Sequence, residues 1–167
     1  MNGLYTETYI HRKATAGPAI GRVAMIAAGI LLLVGGLIAT NGIVMFIGVA
    51  VLVAYYFVSP MFKIDYEYIF CDGQIDFDRI SGGEKRKTML KIDMDNVEVM
   101  APVRSHELDS YNSQNFTVKD FSSKNADARL YCLFTSKDNQ RLKVIFEPSD
   151  TMLDYAKQKA PRKVFKD

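Results

Sequence analysis

The most prominent pattern in the chain is an apolar stretch of about 40 residues, 23–62, without an acidic or basic side chain. A helix needs only about 20 apolar residues to cross the hydrocarbon core, so a single helix would overshoot it. Asn41-Gly42 lies near the middle, and both residue types accept the positive φ of a turn. The pattern therefore predicts a hairpin of two transmembrane helices, residues 19–40 and 43–59, with its tip at Asn41-Gly42.

Both predicted helices are rich in small residues, and Pro60 is expected to end the second one. Small residues let two helices approach closely, although they are also common in membrane helices in general. The sequence leaves these two explanations open. The residues are Ala24, Ala27, Ala28, Gly35 and Gly36 in the first helix, and Gly48, Ala50 and Ala54 in the second.

After the helices, apolar and polar residues alternate with the period of two that is typical of half-buried strands. Asp72-Gly73 separates the first two of these segments and predicts a tight hairpin turn. Cys132, in a later segment, is interpreted as a small core residue. The predicted strands are residues 63–71, 74–80, 87–93, 95–100, 129–136 and 141–147, with a short one at 115–121 inside the polar segment 103–127.

The chain closes with an amphipathic helix that Ser149 caps and Pro161 ends. The predicted fold class is α+β: a transmembrane helical hairpin followed by a small antiparallel β-sandwich or barrel with a C-terminal helix. The predicted organisation is a basic tail over residues 1–18, the hairpin over 19–62, and a cytoplasmic domain over 63–167.

The charges beside the helices predict the orientation. Basic residues flank both ends of the apolar stretch, whereas the tip carries no charge, so the positive-inside rule places both termini in the cytoplasm. We therefore expect a multi-pass protein of the inner or plasma membrane. A cleavable signal peptide is the alternative, but no small-residue cleavage site follows the basic region. The orienting residues are Arg12, Lys13, Arg22 and Lys63.

Composition excludes several other classes. Residues 63–167 carry 18 basic and 18 acidic side chains, so the net charge of +2 arises before them and nucleic-acid binding is not expected. Cys71 and Cys132 are far apart and have no histidine cluster, so no metal site is predicted. In the cytoplasm both thiols stay reduced. Neither a Walker A motif nor a dinucleotide-binding glycine motif occurs, and we expect no cofactor.

Two basic patches are candidates for contact with anionic lipid. The denser one, Lys85, Arg86 and Lys87, follows a Gly-Gly turn, and the other is Arg162 with Lys163. A cluster of this kind contributes about 1 kcal/mol per basic residue at an anionic membrane surface. The alternative is that the first patch is a solvated turn and the second a frayed tail.

The polar segment 103–127 contains the candidate partner loop. Ser105, His106, Glu107 and Asp109 have the residue types of a catalytic site, but neighbours on an extended chain point apart. We therefore expect no catalytic residue and no enzyme, and assign these four residues with Tyr111 to a loop that contacts a partner. A second carboxylate pair, Asp76 and Asp78, is interpreted as part of a solvated sheet face.

Three segments carry a family resemblance: HRK in the tail, VEVMAP followed by SHELDSYN, and FEPSDTMLDYAKQKAPRKVF. With them the chain resembles an uncharacterised family of small bacterial two-span membrane proteins with a pleckstrin-homology (PH)-like cytoplasmic domain. The resemblance covers nearly the whole chain and implies a PH-like fold, but no activity. Eukaryotic lipid-binding PH domains place basic residues around the first hairpin. FCDGQIDFD is acidic there, which argues against phosphoinositide recognition.

We therefore expect an integral membrane protein that displays a non-catalytic PH-like interaction module at the cytoplasmic surface. The expected partners are membrane lipids and an unidentified membrane or cytoplasmic protein, with a homo-oligomer also open. The alternative is an accessory subunit that contacts a larger membrane complex through its helices.

Overall fold

The computed structural model describes residues 3–13, 16–59, 63–112, 114–137 and 139–166. The chain divides into two compact units. A β unit contains the segment up to Lys13, Asp65–Ile80 and the chain from Lys85 onward, and a helical unit contains the apolar helices and Ser81–Glu84. Pro60, predicted to end the second helix, lies outside the described residues.

The helical unit is a hairpin of α1 (Ala16–Ile38) and α2 (Gly42–Val58). Glycines set the distance between the helices, because a Cβ on Gly36 would lie 2.6 Å from the backbone nitrogen of Met45. A Cβ on Gly48 would lie 2.7 Å from the nitrogen of Leu33. The adjacent Gly35 meets nothing within 4 Å. Small residues therefore do allow close packing here, but only those on the face that meets the other helix.

The tip of the hairpin lies next to the predicted Asn41-Gly42 turn, but the positive φ falls on the preceding residue, Thr40. Thr40 adopts φ 50°, and the N–H groups of Thr40 and Asn41 donate to the carbonyls of Leu37 and Gly36. This is the Schellman arrangement, in which the residue after the helix takes the left-handed conformation. Asn41 then caps α2, since its side-chain oxygen accepts from the N–H groups of the second and third residues that follow it.

The first sheet has the order β1-β2-β3-β4. Its strands are β1 (Tyr5–His11), β2 (Ile64–Cys71), β3 (Gln74–Ser81) and β4 (Lys85–Asp93). The predicted turn between β2 and β3 is present, with positive φ at Asp72 and Gly73.

The N-terminal segment is the main departure from the predicted organisation. Residues 5–11 are not a tail, because β1 pairs antiparallel with all of β2, from Tyr5 opposite Cys71 to His11 opposite Asp65. The physical reason is that β1 alternates its residues between the two faces of the sheet and supplies main-chain partners for β2. The helices are therefore inserted between two paired strands of one sheet.

The second sheet has the order β5-β7-β8-β6. Its strands are β5 (Val97–Pro102), β6 (Thr117–Asp120), β7 (Tyr131–Lys137) and β8 (Gln140–Phe146). Pairing is antiparallel except between β6 and β8. Short helical turns at Met94–Asn96, His106–Leu108 and α3 (Asp109–Asn112) connect the strands, and α4 (Asp150–Lys159) follows with Ser149 as its N-cap.

The core of the β unit is aromatic. Phe77 stacks on Phe121 with ring centroids 4.9 Å apart. Tyr68 and Phe77 each pack edge-on against Phe146, and their own rings are tilted against each other. Tyr68 is fully buried and donates its hydroxyl to the carbonyl of Phe121 at 2.6 Å. Burial raises the pKa of the Tyr68 hydroxyl, so it remains a neutral donor.

Candidate functional site

The strand ends that connect to the helices form one end of the first sheet, here called the helix-connected end. His11 Nδ1 lies 3.0 Å from Asp65 Oδ1 there, at the end of β1 and the start of β2. Because β3 runs antiparallel to β2, it also ends here. The start of β4, with Lys85, follows directly.

The three residues of the denser basic patch have different environments at this end. The side chains of Lys85 and Lys87 are exposed. The guanidinium of Arg86 instead lies 2.6 Å from Glu67 and 4.0 Å from Asp78. The lysines are therefore the members of the patch that remain directed to solvent.

The carboxylates beneath Arg86 are buried, which corrects the interpretation of Asp78 as part of a solvated face. Asp78 is 5% exposed and Glu67 is 7% exposed. Burial raises the pKa of Glu67, while the positive charge of Arg86 lowers it and the charges of Glu7 and Asp78 raise it further. The alternating pattern placed both carboxylates outward, but the Arg86 side chain from β4 lies against Glu67 of β2 and Asp78 of β3.

The second basic patch lies at the opposite end of the β unit. Lys163 donates from Nζ to the carbonyl of Asp95 at 2.7 Å. The adjacent Met94 donates its N–H to the carbonyl of Gly73. Gly73 lies in the turn between β2 and β3, at the end of the sheet away from the helix-connected end. Lys163 and its exposed neighbour Arg162 are therefore not brought together with Lys85 and Lys87.

Three of the four predicted orienting residues flank the helices in the chain, and two of these anchor the segment before α1 to the β unit. Arg12 donates from Nη1 to the hydroxyl of Tyr66 at 2.5 Å. Lys13 donates its N–H to the carbonyl of Ser123 at 2.8 Å. The other two orienting residues are Arg22, within α1, and Lys63, which has an exposed side chain before β2.

The candidate partner loop combines exposed and anchored residues. Ser105 caps the turn His106–Leu108 by accepting from the N–H of Glu107. His106 is fully exposed, and its Nδ1 lies 3.3 Å from Asp109 Oδ2. Tyr111 instead stacks on Phe134 with ring centroids 5.0 Å apart. His106, Glu107 and Asp109 thus form the exposed part of the loop, whereas Tyr111 holds it in place.

This anchoring explains why β7 is buried on both faces. Leu108, Tyr111 and Phe116 pack against a cluster that contains Cys132 and Phe134, on the face of β7 away from the core between the sheets. Burial raises the pKa of the Cys132 thiol to about 11, so it is an inert core residue as predicted. The continuous apolar run LYCLF was the sequence signal for a strand covered on both sides.

The two ends of the polar segment meet beside a cleft of about 460 Å³. The cleft is lined on one side by the start of the segment, including Val103 and Arg104, and on the other by Asp127 and Leu130. The N–H of Val103 donates to the carbonyl of Leu130 at 3.0 Å, which holds the two ends together. The cleft adds a concave surface to the region that the sequence assigns to a partner.

The acidic hairpin FCDGQIDFD has a different place in the fold from the one inferred. It connects β2 to β3, and because β1 precedes the helices it is the second hairpin of the sheet and not the first. The connection between β1 and β2 carries the two helices. The acidity of FCDGQIDFD therefore gives no argument about lipid binding at the helix-connected end.

Two sets of residues at this site were missed by sequence reasoning. The alternation in YTETYIH was an available signal for β1, but its partner strand lies beyond the helices. The pair formed by Glu67 and Arg86 had no local signal, because it joins β2 to β4 across β3.

Comparisons with curated proteins and with solved structures found no match. The sequence profile of a family described as a bacterial PH-like domain, DUF6106, matches residues 2–166. This confirms the resemblance inferred from the sequence and agrees with the two sheets and the helix α4. The chain therefore belongs to the bacterial PH-like domain family DUF6106.

Proposed function

We propose that this chain is an integral membrane protein whose PH-like unit is a non-catalytic interaction module at the cytoplasmic surface. The observation that carries the proposal is the insertion of an apolar helical hairpin between the paired strands β1 and β2. Because those strands are neighbours, the chain must leave and re-enter the β unit on one side of any membrane. Two crossings satisfy this requirement, whereas one does not.

The exposed surface of the helices supports membrane insertion. In the described part of the chain, Ile20–Ile38 is long and apolar enough to cross a bilayer, and 11% of it is buried. A core helix of a soluble protein would be mostly buried. The second helix is an apolar helix of 17 residues, a length of about 26 Å at 1.5 Å per residue, against a hydrocarbon core of about 30 Å. Leu31, Phe46 and Phe57 are each more than 70% exposed.

The charges support the cytoplasmic orientation of the β unit. Arg12, Lys13 and Lys63 lie in the two connections, next to the apolar helices, where the positive-inside rule counts basic residues. Lys85 and Lys87 add exposed positive charge at the helix-connected end. We propose that these two lysines contact anionic headgroups, at about 1 kcal/mol each.

Alkaline carbonate extraction of membranes that contain the full chain tests membrane integration. We expect the chain to remain in the pellet. A matched variant in which residues 14–62 are replaced by a short Gly-Ser linker should move to the soluble fraction, because His11 and Asp65 already lie opposite each other. Extraction of the full chain into the supernatant would contradict the proposal.

The accessory-subunit function remains the second candidate, and one feature of α1 favours it. Ile20, Val23, Ala24 and Ala27 line a shallow apolar groove on this helix. A photo-crosslinking residue at Ala24 tests it in intact membranes. Capture of a defined membrane protein would favour the accessory subunit, whereas crosslinks to lipid alone would favour the interaction module.

A further inference from the structure

The outer edge of β5 is paired with the segment that follows α4. The N–H of Met100 donates to the carbonyl of Lys163, and the N–H of Phe165 donates to the carbonyl of Met100, each at 2.8 Å. Met100 and Val164 thus form a parallel bridge. We call residues 162–166 the docked segment and the surface between β5 and α4 that receives it the β5 groove.

Successive side chains of the docked segment meet different surroundings. Val164 is fully buried, and its carbonyl accepts from Lys157 Nζ at 2.5 Å. Phe165 packs against the cluster on β7, with Lys157 Nζ 5.4 Å from its ring centroid. Lys163 reaches the carbonyl of Asp95 at 2.7 Å. The groove therefore distinguishes basic, aliphatic and aromatic positions.

The far end of the docked segment is held through its main chain and one ion pair. The carbonyl of Lys166 accepts from the hydroxyl of Tyr131 at 2.6 Å and from Arg129 Nη2 at 3.0 Å. The ammonium group of Lys166 forms an ion pair with Asp154 on α4. A second basic position thus follows the aromatic one.

Main-chain pairing with a sheet edge, combined with pockets for particular side chains, is a general mode of binding extended peptides. We propose that the β5 groove is a peptide-recognition site that the chain occupies with its own docked segment. Its ligand is an extended peptide of another protein with basic, aliphatic, aromatic and basic side chains at four successive positions, as in Lys-Val-Phe-Lys. The inference rests on the proposed function as an interaction module and names the class of its protein partner.

The docked segment is suited to exchange because only two main-chain hydrogen bonds join it to β5, and both involve Met100. Its other hydrogen bonds are made with side chains, by the Lys163 ammonium group, or with Ala160 at the end of α4. Segments with few main-chain bonds open at lower free energy than core strands. Because the docked segment competes for the groove, the apparent affinity for a peptide of another protein is the intrinsic affinity multiplied by the fraction of time that the groove is empty.

A peptide-binding titration on the full chain in detergent micelles tests the proposal. The probe is a fluorescein-labelled peptide Pro-Arg-Lys-Val-Phe-Lys, and the variant Val164→Asp vacates the groove by placing a charge at a fully buried position. We expect the variant to bind the probe at least tenfold more tightly than the natural chain. A matched peptide with Asp in place of Val should not bind. Equal binding of the probe by the folded variant and the natural chain, or equal binding of both peptides, would overturn the proposal.

Hydrogen exchange on the unmodified chain provides a second measurement that does not depend on the folding of Val164→Asp. The amide of Phe165 should exchange at least tenfold faster than that of Leu133 in β7, because the docked segment opens without the sheet. Equally slow exchange at both amides would show a locked segment and overturn the inference. Either failure leaves the result of carbonate extraction unchanged, so it is distinguishable from failure of the proposed function.

Discussion

His11 and Asp65 lie opposite each other in the pairing of β1 with β2, with His11 Nδ1 3.0 Å from Asp65 Oδ1, although they are 54 positions apart. Both apolar helices lie between them in the chain. This pairing gives the hairpin two adjacent attachment points on one sheet. The proposal that the chain crosses the membrane twice depends more on the pairing of β1 with β2 than on the apolarity of the helices.

Replacing Gly36 by Ala should force the two helices apart. A Cβ at this position would lie 2.6 Å from the backbone nitrogen of Met45, and overpacking of this kind costs about 1–3 kcal/mol. We expect the distance between spin labels at the exposed positions Leu31 and Val53 to increase or broaden in electron paramagnetic resonance. The matched variant Gly35→Ala meets open space and should leave the distance unchanged. Identical effects of both variants would show that glycine packing does not set the helix separation.

Arg86→Met should destabilise the β unit. The guanidinium lies 2.6 Å from buried Glu67 and 4.0 Å from buried Asp78, and its removal takes this positive charge away from both carboxylates. The loss should be about 1–3 kcal/mol, because buried acceptors lose a partner while half of the Arg86 side chain is already exposed. Thermal unfolding in micelles measures it, with Lys85→Met as the exposed control. An equal melting temperature for both variants would contradict the role assigned to Arg86.

The raised pKa of Glu67 predicts a pH dependence. Burial, opposed by Arg86 and assisted by Glu7 and Asp78, places its folded pKa above the ordinary value of 4.5. The folded chain then binds a proton more tightly than the unfolded chain, so this contribution to stability is present at low pH and is lost as pH rises through the raised pKa. The natural chain should therefore gain melting temperature relative to Glu67→Gln between about pH 7.5 and about pH 4.5. A gain by Glu67→Gln over the same interval would reverse the assigned sign.

Tyr68→Phe tests the contact that ties the polar segment to the core. The variant leaves the buried carbonyl of Phe121 without the hydroxyl that lies 2.6 Å away, which should cost about 1–3 kcal/mol in the free energy of unfolding. Tyr5→Phe, at a residue that is 53% exposed, is the control and should change little. Comparable losses in the two variants would show that the buried bond contributes no more than an exposed one.

The sequence was sufficient for the elements with a local signal. Period-two alternation located β2, β3, β7 and β8, and Ser149 and Pro161 bounded α4 closely. Asn41 was correctly placed at the tip of the hairpin, but its role is to cap α2, while Thr40 takes the left-handed conformation. Local residue preference indicated a turn but did not distinguish which residue would carry the positive φ.

The features that the sequence did not predict are those that join distant segments. β1 has the alternation of a strand, but pairing across 54 positions leaves no mark in local periodicity. The polar neighbours of Tyr111 gave no sign that it stacks on Phe134, in a strand that follows the polar segment. The separation of Lys85 from Lys163 depends on sheet topology in the same way, since composition shows only two basic patches.

The central claim is that the helical hairpin crosses the membrane twice and leaves the β unit in the cytoplasm, and cysteine labelling in intact cells tests it most directly. Native Cys71 is exposed on the β unit and Cys132 is buried, while a Cβ at Gly42 meets nothing within 4 Å. With a membrane-impermeant maleimide, Gly42→Cys in a Cys71→Ser chain should be labelled in intact cells, and native Cys71 only after permeabilisation. Labelling of native Cys71 in intact cells, with Gly42→Cys protected until permeabilisation, would contradict the account.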